Sequence, residues 1–258
     1  MRKWNFCAGP AVISEEVLSE VQSELLEYPD SGSSIMEMSH RSSTYMKVAL
    51  DAKQDLKDIL KIPENYEILF LQGGATHQFS MIPMNFKNLT GSADYITTGS
   101  WTKKAFIEGS KIMDIKEIYS SEKDDFTCAP DLENLKLSEN AAYVHYCPNE
   151  TIEGNAIHEV PKINKPLIAD MSSVILSEPL EISNFSLVYA GAQKNIGPAG
   201  LTIVIIKKEF MEQCNSNLPN LFRYSEHAKS DSMLNTPPTI NILLAFIFIY
   251  IQDRSQSF

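Results

Sequence analysis

A single lysine, Lys194, lies in a loop of small residues between two short apolar segments. Both segments, residues 186–189 and 201–206, are predicted to be buried strands, because they are short, apolar and separated by glycine and proline. A charged side chain between two core strands needs a partner or a function. A desolvated lysine has a lowered pKa and attacks carbonyl groups to form a Schiff base. From this loop alone, a turn lysine with its ammonium group in water is an equal alternative.

Three other features follow predicted strands and could act with this lysine. The run from Gly73 to Thr76 offers backbone N–H groups and a helix N-terminus to an anion. Trp101 could stack on a planar ring, and Asp170 could bind a protonated ring nitrogen such as that of pyridoxal phosphate. The alternatives are a tight turn, a core tryptophan and a helix N-cap, in that order. An anion loop, an indole, a strand-end carboxylate and a loop lysine together indicate a pyridoxal phosphate site.

Predicted helices and strands alternate along the chain. Ser14 is a candidate N-cap for a first helix, with Glu15 in the first turn and Val17 and Val21 on one apolar stripe. Further helices are predicted at residues 45–60, after Gly74, and from Trp101 to residue 112. Strands are predicted at residues 68–71, 93–97, 141–146, 166–169, 186–189 and 201–206. This alternation predicts an α/β fold with a mostly parallel central sheet and helices on both faces. Ligands bind such sheets at the carboxyl ends of the strands, where the polar residues above lie.

Composition excludes several classes of protein. The 258 residues are 43% apolar and carry a formal charge of -11, which disfavours nucleic acid as a partner. The four cysteines are scattered without metal-ligand spacing, so we expect reduced thiols in a cytoplasmic protein and no metal site. The N-terminus lacks the apolar segment of a signal peptide.

The segment at residues 242–251 is apolar on every face and is too short to span a bilayer, which takes about 20 residues. As a helix it would need burial all round. Only seven residues follow it, so the expectation is that nothing downstream covers it and that it stays exposed.

Seven stretches of the chain resemble the phosphoserine aminotransferases, which are class V, fold-type I enzymes dependent on pyridoxal 5'-phosphate. The resemblance runs from residue 4 to about residue 241 and is most specific around Lys194 and in the stretch from Cys147 to Thr151. The matching stretches are residues 5–10, 38–41, 73–76, 145–154, 169–173, 189–200 and 235–239.

The resemblance implies a role for each matching site residue. Lys194 would form the Schiff base with the cofactor and shuttle a proton, and Asp170 would pair with the ring nitrogen. Trp101 would stack on the ring, and Thr151 would bond near the ring hydroxyl. The residues that would hold the cofactor phosphate are Ala75, Thr76 and Gln193 and, from the other subunit of a homodimer, Asn235 and Thr236. The residues that would bind substrate anions are His40 and Arg41.

The implied reaction is amino transfer between L-glutamate and 3-phosphohydroxypyruvate, which gives O-phospho-L-serine and 2-oxoglutarate. Activity on a phosphorylated hydroxythreonine stays open. The expected organisation is an N-terminal arm (1–15), a cofactor-binding large domain (16–241) and an apolar helix with a divergent tail (242–258), without the family's small C-terminal domain. The alternatives are a catalytically impaired fragment that binds cofactor or dimerises, and another class V enzyme such as a desulfurase.

Overall fold

The computed structural model describes residues 2–255, with side chains described through residue 251. The helices are α1 Glu15–Glu24, α2 Ser43–Ile59, α3 Gly74–Thr90, α4 Ser100–Ser110, α5 Lys208–Met211, α6 Tyr224–Lys229 and α7 Thr239–Ser255. The strands are β1 Tyr66–Leu71, β2 Ser92–Thr97, β3 Asp114–Ser120, β4 Ala141–Tyr146, β5 Asn149–Glu150, β6 Asn155–Ala156, β7 Leu167–Asp170, β8 Leu187–Gly191 and β9 Thr202–Lys207.

Seven strands form the central sheet, in the order β1-β9-β8-β7-β4-β2-β3. Strands β8, β7, β4, β2 and β3 pair in parallel, and β9 runs antiparallel to both of its neighbours. The prediction of a mostly parallel α/β sheet is therefore confirmed. The edge strand β3 is not among the predicted strands, because charged residues interrupt its apolar ones and only one of its seven residues is buried.

Helices cover both faces of the sheet, as the alternation predicted. Along β9, Ile203 and Ile205 belong to one buried cluster, and Val204 and Ile206 belong to the other. This division follows from the period of two in a strand, which sends successive side chains to opposite faces. Helices α1, α2 and α7 supply side chains to the first cluster, and α3, α5 and α6 supply side chains to the second.

The first helix begins where the sequence predicts. Ser14 is its N-cap, and its hydroxyl accepts a hydrogen bond from the backbone N–H of Val17 at 3.3 Å. Val17 and Val21 are buried, so the predicted apolar stripe faces the core. Serine is favoured at this position because its hydroxyl accepts from a backbone N–H that has no other partner at the start of a helix.

The expectation that residues 242–251 stay exposed is wrong. This segment lies within α7, which packs against α2 and α1, and Ile242, Ala245 and Ile249 are fully buried. The surface that covers it comes from α1 and α2, near the start of the chain, and not from the residues that follow it. Tyr250 remains half-exposed on the outer face. Among the described residues, no helix is long and apolar enough to cross a membrane.

Candidate active site

The carboxyl ends of the parallel strands surround a cavity that collects most of the predicted site residues. It is lined by residues from the loops after β1, β2, β4, β7 and β8. The predicted residues in its lining are Ala75, Thr76, Trp101, Asp170, Gln193 and Lys194. Each strand of a parallel sheet ends at the same edge, so residues far apart in the chain meet there.

Lys194 lies in the loop after β8 and is half-buried rather than in open solvent. Its ammonium group donates a hydrogen bond to the hydroxyl of Thr151 and stands 5.6 Å from the centre of the Trp101 ring. A Cβ on Gly9 would lie 3.1 Å from the Lys194 Cγ, so the N-terminal arm packs directly on the lysine stem. The lysine is therefore held toward the cavity from two sides, which favours the functional interpretation over the turn lysine.

Asp170 ends β7 and is almost completely buried, with 5% of its surface exposed. Its Oδ1 accepts hydrogen bonds from the backbone N–H of Ser172 at 3.0 Å and from the Ser172 hydroxyl at 2.5 Å. Burial raises the pKa of this carboxyl, while the Ser172 bonds and the charge of Lys194 oppose that rise. A positively charged hydrogen-bond donor would stabilise the ionised form of this buried carboxylate. A protonated ring nitrogen is such a donor.

Trp101 lies in the first turn of α4, is half-buried and lines the cavity. Its Nε1 is buried and has no hydrogen-bond partner among the described residues. The Lys104 ammonium group stands 4.3 Å from the ring centre. A ring that lines a cavity, with a buried donor left over, fits a stacking role better than that of a core tryptophan.

The start of α3 offers backbone N–H groups to an anion. Gly73 and Gly74 both have positive φ angles, 94° and 68°, which glycine adopts without strain. Among the residues that the structure describes, no side chain caps the first turn of α3. A Cβ on Gly191 would lie 2.7 Å from the Gln193 Oε1 and 3.4 Å from the Ala75 backbone nitrogen, so these two groups are close together. This arrangement fits a phosphate group.

The other predicted residues do not line the cavity. Arg41 is exposed, and its guanidinium group makes no ion pair with the described side chains, while the His40 Nε2 is buried without a hydrogen-bond partner among them. Asn235 lines a separate cavity beside His77 and His227. The backbone carbonyl of Thr236 accepts a hydrogen bond from Gln72 at 2.8 Å.

Four further residues line the cavity that sequence reasoning did not assign to the site, namely Cys147, Asn149, Ser172 and Ser173. The buried Cys147 thiol donates to the backbone carbonyls of Asn149 and Asp170, at 3.1 Å and 3.4 Å. The signal was present, because all four lie within the matching stretches 145–154 and 169–173. Residue type alone did not mark them, since a buried cysteine is common in any core and serine and asparagine are common in loops.

Comparisons with known proteins agree with this geometry. The family model described as aminotransferase class-V matches residues 3–250, which extends beyond the residue near 241 where the resemblance was expected to end. A phosphoserine aminotransferase of Hahella chejuensis is 47% identical over 255 residues, which cover 98% of this chain and 71% of that protein.

Solved structures give the same result. The phosphoserine aminotransferase of Bacillus circulans subsp. alkalophilus superimposes with a TM-score of 0.94 at 44% identity, and the match covers 98% of this chain and 71% of that one. The pyridoxal-phosphate-bound phosphoserine aminotransferase of Trichomonas vaginalis superimposes with a TM-score of 0.88 at 37% identity, with 98% and 76% covered.

Proposed function

This chain belongs to the class-V aminotransferases and, within them, to the phosphoserine aminotransferases, and we propose that it interconverts L-glutamate and 3-phosphohydroxypyruvate with O-phospho-L-serine and 2-oxoglutarate. The cofactor is pyridoxal 5'-phosphate. The observation that carries the proposal is the meeting of Lys194, Asp170 and Trp101 in one cavity beside the uncapped start of α3. Activity on a phosphorylated hydroxythreonine remains part of the proposal.

The residues of the cavity fit the cofactor. We propose that the amides of Ala75 and Thr76 and the side chain of Gln193 hold its phosphate, where the helix dipole and free N–H groups favour an anion. The buried carboxylate of Asp170 would bind the ring nitrogen, and the indole of Trp101 would stack on the ring. The bound cofactor supplies a carbonyl carbon for covalent attachment and an electron sink for a substrate carbanion.

The protein's own groups would orient the lysine and move the proton. The Thr151 hydroxyl accepts a hydrogen bond from Lys194 and so fixes the direction of its Nζ. From there Nζ would act as the base that takes the proton from the substrate α-carbon and passes it on to the cofactor, and it would move a proton the opposite way in the second half of the reaction. Ser172 holds the Asp170 carboxylate in place, and its hydroxyl in turn accepts from the Gly191 N–H at 3.0 Å, which ties β7 to β8.

Substrate recognition is proposed to involve His40 and Arg41, with Arg41 forming bidentate bonds to a carboxylate or phosphate. The exposed guanidinium group of Arg41, which forms no ion pair with any described side chain, supports this role, although Arg41 does not line the cavity. We also propose a homodimer in which Asn235 and Thr236 reach the cofactor phosphate of the other subunit. Their position outside the cavity of their own chain is in keeping with that arrangement.

The organisation and location of the chain are also proposals. We propose an arm at residues 1–15, a cofactor-binding unit at 16–241 and a terminal helix and tail at 242–258. A cytoplasmic location is supported by the four cysteines, all within the described residues and all unpaired.

The alternative function is binding of the cofactor, or pairing with another copy of the chain, without turnover. The absence of His40 and Arg41 from the cavity lining favours it, since orientation and charge neutralisation of the substrate would then be incomplete.

The first experiment records the visible absorption spectrum of the purified chain with pyridoxal phosphate, beside Lys194→Ala. We expect a Schiff-base band that the variant lacks, and the same band in both proteins would refute the proposed site. Adding glutamate and then phosphohydroxypyruvate to the loaded chain separates the two functions. Loss of the band with glutamate and steady turnover supports the enzyme, whereas a band that does not respond to glutamate supports binding alone.

A further inference from the structure

Two carboxylates close the N-terminus of α4, one from Glu150 at the end of β5 and one from Glu153 in the turn between β5 and β6. The Glu150 Oε1 accepts from the Thr102 N–H at 2.9 Å and from the Thr102 hydroxyl at 2.6 Å, and its Oε2 accepts from the Trp101 N–H at 2.9 Å. The Glu153 Oε1 accepts from both the N–H and the hydroxyl of Ser100. Three successive amides at the start of this helix therefore point at carboxylate oxygens.

The neighbouring helix α3 starts differently, although both helices follow a strand of the same sheet. Its N-cap is Gly73, and no side chain in the described part of the chain bonds to its first amides, whereas the first amides of α4 are all bonded to carboxylates. Because the N-terminus of a helix attracts anions, both starts would be possible phosphate sites at this edge of the sheet. The protein fills one of them with Glu150 and Glu153 and leaves the other open.

Glu150 is built into the structure rather than resting on its surface. It is fully buried, and a Cβ on Gly99 would lie only 2.4 Å from its Cγ. Only a glycine at position 99 leaves room for this side chain. The Thr102 hydroxyl, bound to Glu150, also accepts from the backbone N–H of Thr98 at 2.9 Å, which fixes the approach from β2 into α4. A buried charge is tolerated here because several donors and the helix dipole meet it.

Glu150 accepts from the backbone N–H groups of Trp101 and Thr102, and of these two residues Trp101 lines the cavity. The backbone N–H of Trp101 donates a hydrogen bond to the Glu150 carboxylate, and the centre of the Trp101 ring lies 5.6 Å from the Lys194 ammonium group. A shift of this amide would move the indole relative to the lysine. The Glu150 carboxylate therefore holds the backbone of the residue whose ring the cofactor is proposed to contact.

We propose that Glu150 is a positioning residue of this site, which holds the Trp101 indole at its stacking depth and, with Glu153, directs the ligand's phosphate to α3 by occupying the start of α4. This inference rests on the proposed function for the identity of the ligand. The carboxylate touches neither the substrate nor the reacting atoms, and it acts through Trp101.

The first test needs no cofactor. The chain has two tryptophans, so Trp4→Phe, at a site that is 92% exposed, leaves Trp101 as the only indole fluorophore. In this background we expect Glu150→Gln to shift Trp101 emission to longer wavelength and to increase its quenching by acrylamide. When both Glu150 and Glu153 are changed to Gln, quenching of Trp101 by iodide should increase more than quenching by acrylamide. Iodide is an anion, and the start of α4 then admits an anion.

Glu181→Gln is the matched control, because Glu181 accepts from the N–H and hydroxyl of Ser183 in the same way but lies outside the cavity lining. It should leave emission and quenching unchanged. Equal spectra for Glu150→Gln and Glu181→Gln would overturn the positioning role. If Glu150→Gln does not fold, Glu150→Asp, which withdraws the carboxylate by one methylene, is expected to change emission in the same direction, and an unchanged emission overturns the proposal.

The second test is a double-mutant cycle on the dissociation constant for pyridoxal phosphate. Glu150→Gln should weaken binding by about 3- to 10-fold, the range of a lost aromatic contact. In a Trp101→Leu background the same substitution should have no further effect, because the ring on which it acts is gone. Equal losses in both backgrounds would show a general structural role and refute the proposal. Failure of the proposed function would appear separately, as a wild-type chain without a Lys194-dependent band.

Discussion

Replacement of His145 tests whether burial keeps this imidazole, one of the side chains of β4, in its neutral form. His145 lies in β4 with 1% of its surface exposed, and its Nε2 is 2.9 Å from the Tyr189 hydroxyl. Its ring stacks on Tyr95, with ring centres 4.6 Å apart, and on Tyr189, with centres 5.9 Å apart. Burial lowers the pKa of this imidazole from 6.5 to about 3. We therefore expect His145 to be neutral in the folded protein across the physiological range.

The consequence is a dependence of stability on pH with a defined sign. Below pH 6.5 the unfolded chain binds a proton at His145 that the folded protein does not bind. The stability that the protein gains from its neutral His145 is therefore fully present above pH 6.5 and is lost as the pH falls toward 3. The loss approaches about 1.4 kcal/mol for each pH unit inside that window. Between about pH 7.5 and about pH 5.5, His145 should reduce the free energy of unfolding by about 1.4 kcal/mol.

The assay is urea unfolding of the chain without cofactor at these two pH values, for the wild type and for His145→Gln, since glutamine keeps a polar group beside Tyr189. The variant is expected to lose less stability on acidification than the wild type, by the amount given above. Changing the exposed His158 to Gln is the matched control and should leave the wild-type dependence unchanged. Parallel losses in the wild type and His145→Gln would refute the conclusion that this imidazole is held neutral by burial.

Three other substitutions test the packing, each by urea unfolding. Gly99→Ala places a Cβ 2.4 Å from the Glu150 side chain and should lower the free energy of unfolding by about 1–3 kcal/mol. Ile249→Ala removes a fully buried side chain from α7 and should cost about 2–5 kcal/mol, because α7 is part of the core. Tyr224→Phe removes the hydroxyl that donates to Gln78 at 2.6 Å and should cost about 1–3 kcal/mol, since a buried acceptor then lacks its donor.

A common control for these three is Leu26→Ala, at an apolar side chain that is 90% exposed. Its effect should stay within about 0.5 kcal/mol, as for most surface changes. If Ile249→Ala were as mild as this control, the packing of α7 against α1 and α2 would be wrong. A neutral Gly99→Ala would contradict the close approach of Glu150 to the start of α4.

Local patterns were enough to predict the core strands and several helix boundaries. The predicted strand at residues 141–146 is confirmed residue for residue as β4, because a run of apolar and aromatic residues can be buried only as a unit. The start of α1 at Ser14 also followed from local chemistry, since the cap needs only its own hydroxyl and an N–H three residues away. The strand β3 was missed because it lies at the sheet edge, where partial burial does not require a continuous apolar pattern.

By itself the sequence determined that Lys194, Asp170 and Trp101 each follow a core strand, and a parallel sheet brings such ends together. Only the tertiary structure decided which further groups join them. The Thr151 hydroxyl on Lys194, the Ser172 hydroxyl on Asp170 and the packing of α2 on α7 all join residues through space. The Glu150 carboxylate on the Trp101 amide joins residues 49 positions apart. Such contacts depend on strand order and on the angles at which loops leave the sheet, and no pattern within one segment encodes either of them.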